Sequence, residues 1–517
     1  MIRFLTLLCL LGLSACTPSP DELSDAELSV TTRSIAIPLV NTVVSVIDFE
    51  TEGDSGNVSV SADAEGRVTV QYDGEVVSRD WSVISPPLPL AGFSFQDSVH
   101  NVVITKPDGS NFLADEVINR IDFAEWNIRY VINHQYTDDL TITITIPQII
   151  RDGVAYTETI MVPYDGSAAS TSYTTEPTSL DGYSFVTTDI TIDNDFQLIY
   201  DARLPSGERV LVDESAGLFQ PFNPSYVEGY LGSDKFDVRG DIVPVDLFSV
   251  WKSGGVVFED PSIDLYIENA LGLPLAAQFE EFSITTVAGE DIPVQASAVD
   301  EGIDLAYPSI AERGQAKITT FSFDKSNSNI RDLFSERVQR VNYDITALYN
   351  RDSTGMQDQH IGEGGYFSAD VSVVLPLEGN IRELVLTDTI DLNFSFSDYD
   401  QIISAEIKSI IENEFPLDLS YQLYFTDAAG VAVDSLFDQR TSVSGAAVDA
   451  NGRTIAGEPV TTFITISPDK WKNIQTASRV VFDFMLDSKT INDSPLWVYD
   501  DYDILIKMGA ILEVNID

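Results

Sequence analysis

The chain has 517 residues, of which 82 are acidic and 29 basic, giving a formal charge of −53. Such a surplus repels polyanions wherever salt does not screen it, which excludes nucleic acid as a favoured partner and makes an unassisted approach to an anionic membrane costly. A hydrophobic content of 44% is enough for folded cores, and this length divides into roughly three or four domains of about 100 to 200 residues each.

Met1 to Cys16, MIRFLTLLCLLGLSAC, is an address. Arg3 precedes an apolar run from Phe4 to Leu13 that falls short of the roughly 20 residues a permanent spanning helix needs. Leu13-Ser14-Ala15-Cys16 resembles the bacterial lipobox and closes a segment 1–16 read as the lipoprotein signal, which implies diacylation of the Cys16 sulfur, removal of the peptide before that cysteine and acylation of the new amino terminus; the alternative is an ordinary cleaved signal peptide. Cys9 leaves with the signal and Cys16 carries lipid, so thiol catalysis, disulfides and cysteine-ligated metal are not expected. Residues 17–33, opening Thr17-Pro18-Ser19-Pro20, read as a flexible tether. Thr17 is not the aspartate that retains enterobacterial lipoproteins in the inner membrane, so the resemblance implies the outer membrane, with either face open.

From Ser34 onward the dominant signal is alternation of apolar and polar residues, which marks strands with one buried face. Asn57 to Ala62 and Val68 to Tyr72 form a hairpin across Asp63-Ala64-Glu65-Gly66. Val102 to Thr105 leads into a turn at Lys106-Pro107-Asp108-Gly109. Leu140 to Ile146 places four aliphatics on one face and three threonines on the other. Alternation returns at Ile190–Ile192, Val371–Leu375, Leu392–Phe396, Phe463–Ile466, Val480–Phe484 and Ile504–Val514. Helices are few and short: Leu113–Arg120 and Ile330–Arg337 allow two turns each, and Ser467-Pro468-Asp469 is a helix start with serine at the cap. The expected fold is all-β, several antiparallel β-sandwich domains in tandem.

One internal echo sets the domain plan. Ser262 to Ile267 runs into Glu268-Asn269 and then Gly272-Leu273-Pro274-Leu275. About 144 residues later Ile407 to Ile411 runs into Glu412-Asn413 and then Phe415-Pro416-Leu417. Each reads as strand, Ile-Glu-Asn, short gap, Pro-Leu and a second strand, so Ile267 and Ile411 are expected in equivalent strands of two related sandwiches. The expected division is 34–215 as an amino-terminal sandwich region, 216–345 as the first repeat and 346–517 as the second.

The sequence of strand, Asn, gap, Pro-Leu and strand resembles the core of the late-embryogenesis-abundant type 2, or water-stress, domain, although Asn269-Ala270 and Asn413-Glu414 replace that family's Asn-Pro-Asn. Three longer segments are similar to large uncharacterised lipoproteins of Bacteroidota: Ile37-Pro38-Leu39-Val40-Asn41 with Ser45 to Phe49, Ser326 to Ile330, and Asn413 to Leu417. This likeness implies a fold and an address without an activity.

Chemical motifs are sparse. Gly53-Asp54-Ser55-Gly56 looks like the nucleophile segment of chymotrypsin-type proteases, but Asn57 replaces the next glycine and His100, His134 and His360 all follow it, so it reads as a turn. Neither Gly-x-Ser-x-Gly, His-Glu-x-x-His nor a phosphate loop is present, and no catalytic residues are assigned. His134 reads as a strand-edge residue, His100 and His360 as loop residues. Asp193 and Asp195, Asp398 and Asp400, and Asp500, Asp501 and Asp503 put carboxylates near strand ends, as calcium would require, but without the spaced acid pattern of a calcium loop. Arg239-Gly240-Asp241 reads as a turn. The five tryptophans, Trp81, Trp126, Trp251, Trp471 and Trp497, belong to the core or, if exposed, to a sugar platform.

The expectation is a non-catalytic binding or scaffold module held to the envelope by lipid at Cys16, with no cofactor other than calcium at those acids. The alternatives are a carbohydrate-binding or carbohydrate-hydrolysing lipoprotein using an acidic pair beside tryptophan, and a sandwich holding an apolar ligand. The protein or glycan partner is left open.

Overall fold

A computed structural model describes residues 32–45, 58–74, 77–83, 92–103, 117–166, 170–187, 195–245, 251–351, 359–391, 402–449, 452–455, 457–488 and 495–515. These residues form an all-β protein of antiparallel sheets with three short α-helices. Alternation sets the faces: Leu140, Ile142, Ile144 and Ile146 are fully buried, while Thr143 and Thr145 on the other face hydrogen-bond Thr159 and Thr157 of the next strand. The early hairpin forms as its pattern demands, Val60 opposite Val70. Its turn is closed by Asp63, whose carboxylate accepts from the amides of Glu65 and Arg67, and by Gly66 at φ +84°, where a side chain would be strained.

Two local expectations fail. The described part of the helix expected over Leu113–Arg120 is not helical: residues from Val117 belong to the strand Val117–His134, whose inward residues Ile118, Ile121, Trp126, Ile128, Tyr130 and Ile132 are buried. Strand pairing on both sides overrides a local pattern that would also suit a helix. Arg239-Gly240-Asp241 is no turn either, since it lies within the strand Asp234–Pro244, just past a register shift between Asp237 and Arg239. The expected turns at 53–56 and 106–109, and the alternating runs Ile190–Ile192 and Leu392–Phe396, lie outside the described residues.

Among the described residues the strands make five sheets. A twelve-stranded sheet takes the strands from Phe93 to Tyr230, joined by Gln359–Gly362, and its aromatic rings meet from distant strands, Phe93 5.4 Å from Phe196 and Trp126 5.9 Å from Phe219. A six-stranded and a five-stranded sheet form a middle sandwich, with Phe323 of one layer 4.9 Å from Phe282 of the other and Phe367 6.0 Å from Phe236. A four-stranded and a seven-stranded sheet form a carboxy-terminal sandwich, bridged inside by the Ser409 and Tyr421 hydroxyls at 3.2 Å. The middle core is continuous with that of the twelve-stranded sheet, and the carboxy-terminal core is separate.

The two sandwiches repeat one topology. In one layer the order is Val68–Asp73, Tyr366–Pro376, Ser262–Asn269, Lys317–Phe323; its counterpart is Thr32–Ser45, Asp503–Asn515, Ile402–Asn413, Val460–Ile466. In the facing layer Asp234–Pro244, Val338–Tyr349 and Leu275–Thr286 correspond to Glu378–Asp391, Arg479–Ser488 and Leu417–Thr426. Ile267 and Ile411, both 1% exposed, occupy equivalent places. The bend after each strand is built alike. The Asn269 side chain accepts from the Leu271 amide at 2.9 Å and donates to the carbonyls of Leu273 and Ala306. Asn413 accepts from the Phe415 amide at 3.1 Å and donates to the Leu417 carbonyl at 2.8 Å. Both asparagines are buried, so each satisfies main-chain groups that the gap would leave unpaired.

A short helix follows the outer strand in each copy. Pro468–Ile474 begins as expected, Ser467 accepting from the Lys470 amide with proline at the first helical position, whereas Ile330–Leu333 has no side-chain cap. Sheet membership crosses the linear segments. Thr32–Ser45 joins the carboxy-terminal sandwich, the strands of 58–80 join the middle one, and Trp251–Phe258 joins the seven-stranded sheet from between two middle strands.

Candidate functional site

Asp500, Asp501 and Asp503 fall where the two sandwiches touch. The hairpin turn of the middle sandwich lies against the segment entering the last strand: the Val68 amide donates to the Val498 carbonyl at 3.0 Å and the Asp500 amide to the Gly66 carbonyl at 2.9 Å. A Cβ on Gly66 would sit 2.7 Å from an Asp500 carboxylate oxygen, a contact that rotation of the aspartate would relieve, so it is the φ of +84° that favours glycine here. Arg453 pairs with Asp501 at 2.5 Å and lies 4.7 Å over the Tyr499 ring on its own side of the seam, and reaches across it to donate to the Glu65 carbonyl at 3.1 Å. Arg67 lies 4.9 Å over Trp497, and Tyr502 packs edge-on against Phe415. Neighbouring Glu414 has its carboxyl pushed up, first by burial and then by the charges of Asp503, Glu412 and Asp501. Asp501 thus spends its charge on an arginine and Asp500 lends its main chain to the seam. Among the described residues no three His, Cys, Asp or Glu side chains gather as a metal cage would need.

Of the other residues singled out, Cys16, Asp193, Asp398 and Asp400 lie outside the described residues. Asp195 opens the strand Asp195–Arg203, its main chain opposite Val103. His134 is fully buried, accepts from the Tyr136 amide at 3.2 Å and stacks on the Tyr136 ring. His360 is not in a loop. It lies in the strand Gln359–Gly362 opposite Glu228, 3% exposed, and its amide donates to the Gly272 carbonyl. A Cβ on Gly272 would overlap the His360 ring, so the missing side chain creates the slot that buries it. His100 likewise belongs to a strand, Val99–Val103, opposite Leu198. Burial lowers the pKa of both His134 and His360.

Trp126 and Trp471 are core residues, the former donating to the Leu180 carbonyl at 2.6 Å. Two aromatic side chains, Tyr266 and Phe463, are well exposed among the described residues. On the outward face of the six-stranded sheet Tyr366 donates to Glu268 at 2.8 Å and Tyr266, 41% exposed, to the same carboxylate at 3.3 Å. Asp370 lies opposite Tyr266, and Asp73 opposite Ser372, whose hydroxyl it accepts. Burial, and then the charge of Asp73, raises the Asp370 carboxyl. Sequence reading missed this face and the seam arginines because each draws on distant segments, 299 residues apart between Ser372 and Asp73 and 388 apart between Arg453 and Glu65. Only the outward parity of Tyr266 and Glu268 within one strand was visible beforehand.

No family profile and no curated protein sequence matches the chain. Among solved structures it is similar to a candidate secreted protein from Parabacteroides distasonis ATCC 8503, at 12% identity over 92% of this chain and 99% of that one, with a TM-score of 0.27. It is also similar to infectious bursal disease virus structures: the Gx strain at 9% identity over 91% of this chain and 85% of that one, TM-score 0.14, and the T13 particle at 10% over 94% and 78%, TM-score 0.15. Likeness at this level carries no inference about function. No helix among the described residues is long and apolar enough to cross a membrane.

Proposed function

We propose that this chain is a lipid-moored protein of the bacterial cell envelope whose sandwiches act as a non-catalytic binding or scaffold module, held on the outer membrane through Cys16. One observation carries the reading: the lipobox-like Leu13-Ser14-Ala15-Cys16 is separated by residues 17–31 from Thr32–Ser45, which pairs from end to end with the last strand, Asp503–Asn515. A mooring at the amino terminus would therefore pull on a long antiparallel ladder. Pro38, which donates nothing to a ladder, and the register shift beside it sit on this edge strand, where they are tolerated. The burial of His134 and His360 in packing supports a structural use of those residues. Replacing Cys16 with Ser should move the protein from the membrane to the soluble fraction; unchanged fractionation, or a mature chain with an unmodified first residue, would refute the mooring.

A second reading, glycan binding, is supported by Tyr266 and Tyr366 flanking the Glu268 carboxylate on an outward sheet face, since ring faces and acceptor oxygens suit sugars. Titration with neutral oligosaccharides against the native protein and a Tyr266→Ala, Tyr366→Ala variant would decide it, equal heats in both counting against that face.

A further inference from the structure

The open face of the four-stranded sheet contrasts with its counterpart in the other copy. Its inner positions, among them Ala405, Ile407, Ile411, Ile506, Met508 and Leu512, are buried. Outward, Phe463 is 59% exposed, Val43 49% and Ile511 40%, with half-buried Ile410 on the same side. Lys408 and Lys507 stand on the two central strands, Lys408 opposite Phe463 with its ammonium 5.7 Å from the ring, Lys507 opposite Ile410. The acids of this face lie to either side of that pair: Glu406 opposite Ile511, Glu412 opposite Leu505, Asp503 at the strand's start opposite Ser45, and Glu513, which accepts from Ser404. On the equivalent face of the six-stranded sheet the outward positions of the four matching strands carry Asp73, Asp264, Glu268 and Asp370 and no lysine or arginine, Lys317 standing opposite the inward Asn269. Two copies of one topology have diverged on one face. The copy that receives the amino terminus is the one with lysines amid exposed apolar groups.

We infer that this face rests on the phospholipid surface that holds the anchor. The inference rests on the mooring proposed above and adds an orientation to it. Residues 17–31 span at most about 50 Å when fully extended, and they end at Thr32, on the edge strand of this very sheet. A chain of charge −53 that cannot leave the membrane is turned by repulsion so that its most acidic surfaces point away. The face left toward the lipid is the one where two ammonium groups can meet phosphates and where Phe463, Ile511 and Val43 can enter the headgroup boundary.

The test uses the lipidated protein in vesicles of phosphatidylethanolamine and phosphatidylglycerol. Acylated Cys16 would be the mature chain's own cysteine, so Phe463→Cys or Tyr266→Cys places a fluorophore at one chosen site. A quencher on the lipid acyl chains should reduce emission at position 463 about threefold or more beyond its effect at position 266. Adding Lys408→Glu and Lys507→Glu should remove that difference. Equal quenching at both sites, or water-like emission at 463 while the protein stays on the vesicles, overturns the orientation and leaves the mooring intact. A shift at 463 without vesicles, accompanied by a doubled mass, assigns the face to a second copy and also overturns it. Failure of the protein to bind vesicles, with an unmodified first residue, refutes the mooring and this inference with it.

Discussion

The middle sandwich takes its outer strand pair from a local hairpin, Val58–Ala62 and Val68–Asp73, and shares its core with the twelve-stranded sheet; the carboxy-terminal sandwich takes its outer strand from the start of the chain and keeps a core of its own. Both use the same strand order and the same asparagine-held bend. What is shared is therefore the bend chemistry and the inward alternation, and what differs is how each edge is closed and what each outward face displays. Within one topology the inward residues are constrained by packing, and the outward ones are free to take separate tasks.

Breaking the shared bend should have the largest effect. Asn269→Ala removes one acceptor and two donor contacts in a buried bend and should cost about 3 kcal/mol, while Asn413→Ala removes one of each and should cost about 2 kcal/mol. Urea unfolding reads both, and a loss below about 0.5 kcal/mol in either would end the claim that the bends are equivalent. Ser467→Ala should cost about 1 kcal/mol, because its hydroxyl caps the helix of the carboxy-terminal copy only, and the same unfolding curves measure it.

Arg453→Ala tests what joins the copies. Its pair with Asp501 is solvent-exposed and screened, so global stability should change less than on loss of the cap. Amide exchange over Asp63–Arg67 should nevertheless quicken severalfold as the hairpin turn loses its hold; unchanged exchange there would show that the main-chain bonds alone make the seam. The smallest effect concerns pH. His360 is buried with a lowered pKa, faced by Arg313, which adds to the lowering, and by Glu228, which opposes it. A folded-state pKa below the unfolded one means the unfolded chain binds the extra proton, so the stability contributed by neutral His360 is complete above the ordinary histidine pKa and is lost as pH falls below it. The difference in melting temperature between native protein and His360→Gln should therefore shrink on going from pH 7.5 to pH 5.5, and a difference that is flat across that window would contradict the assignment.

Much of this was legible residue by residue. The strand of Leu140–Ile146, the hairpin across Asp63–Gly66, the Ser467 cap and the repeated Ile-Glu-Asn all depend on neighbours within a few positions, where side-chain period and turn chemistry act directly. The misread segments share a different cause. Val117–Arg120 has a pattern that a helix also fits, and its strand state comes from the partners Val186 and Glu228 far along the chain. His360 looked polar and loop-like because its slot is made by Gly272, which sits on another element.

The sequence by itself determined the all-β character and the inward and outward faces of most strands, since alternation and capping are local physical rules. Only the tertiary structure decided that Thr32–Ser45 closes the carboxy-terminal sandwich, that Arg453 reaches Glu65 across a seam and that the lysines and exposed aromatic of one sheet share a face. A period of two states which side of a sheet a residue faces; it carries no information about which strand lies beside it, and that choice is made by packing across the whole chain.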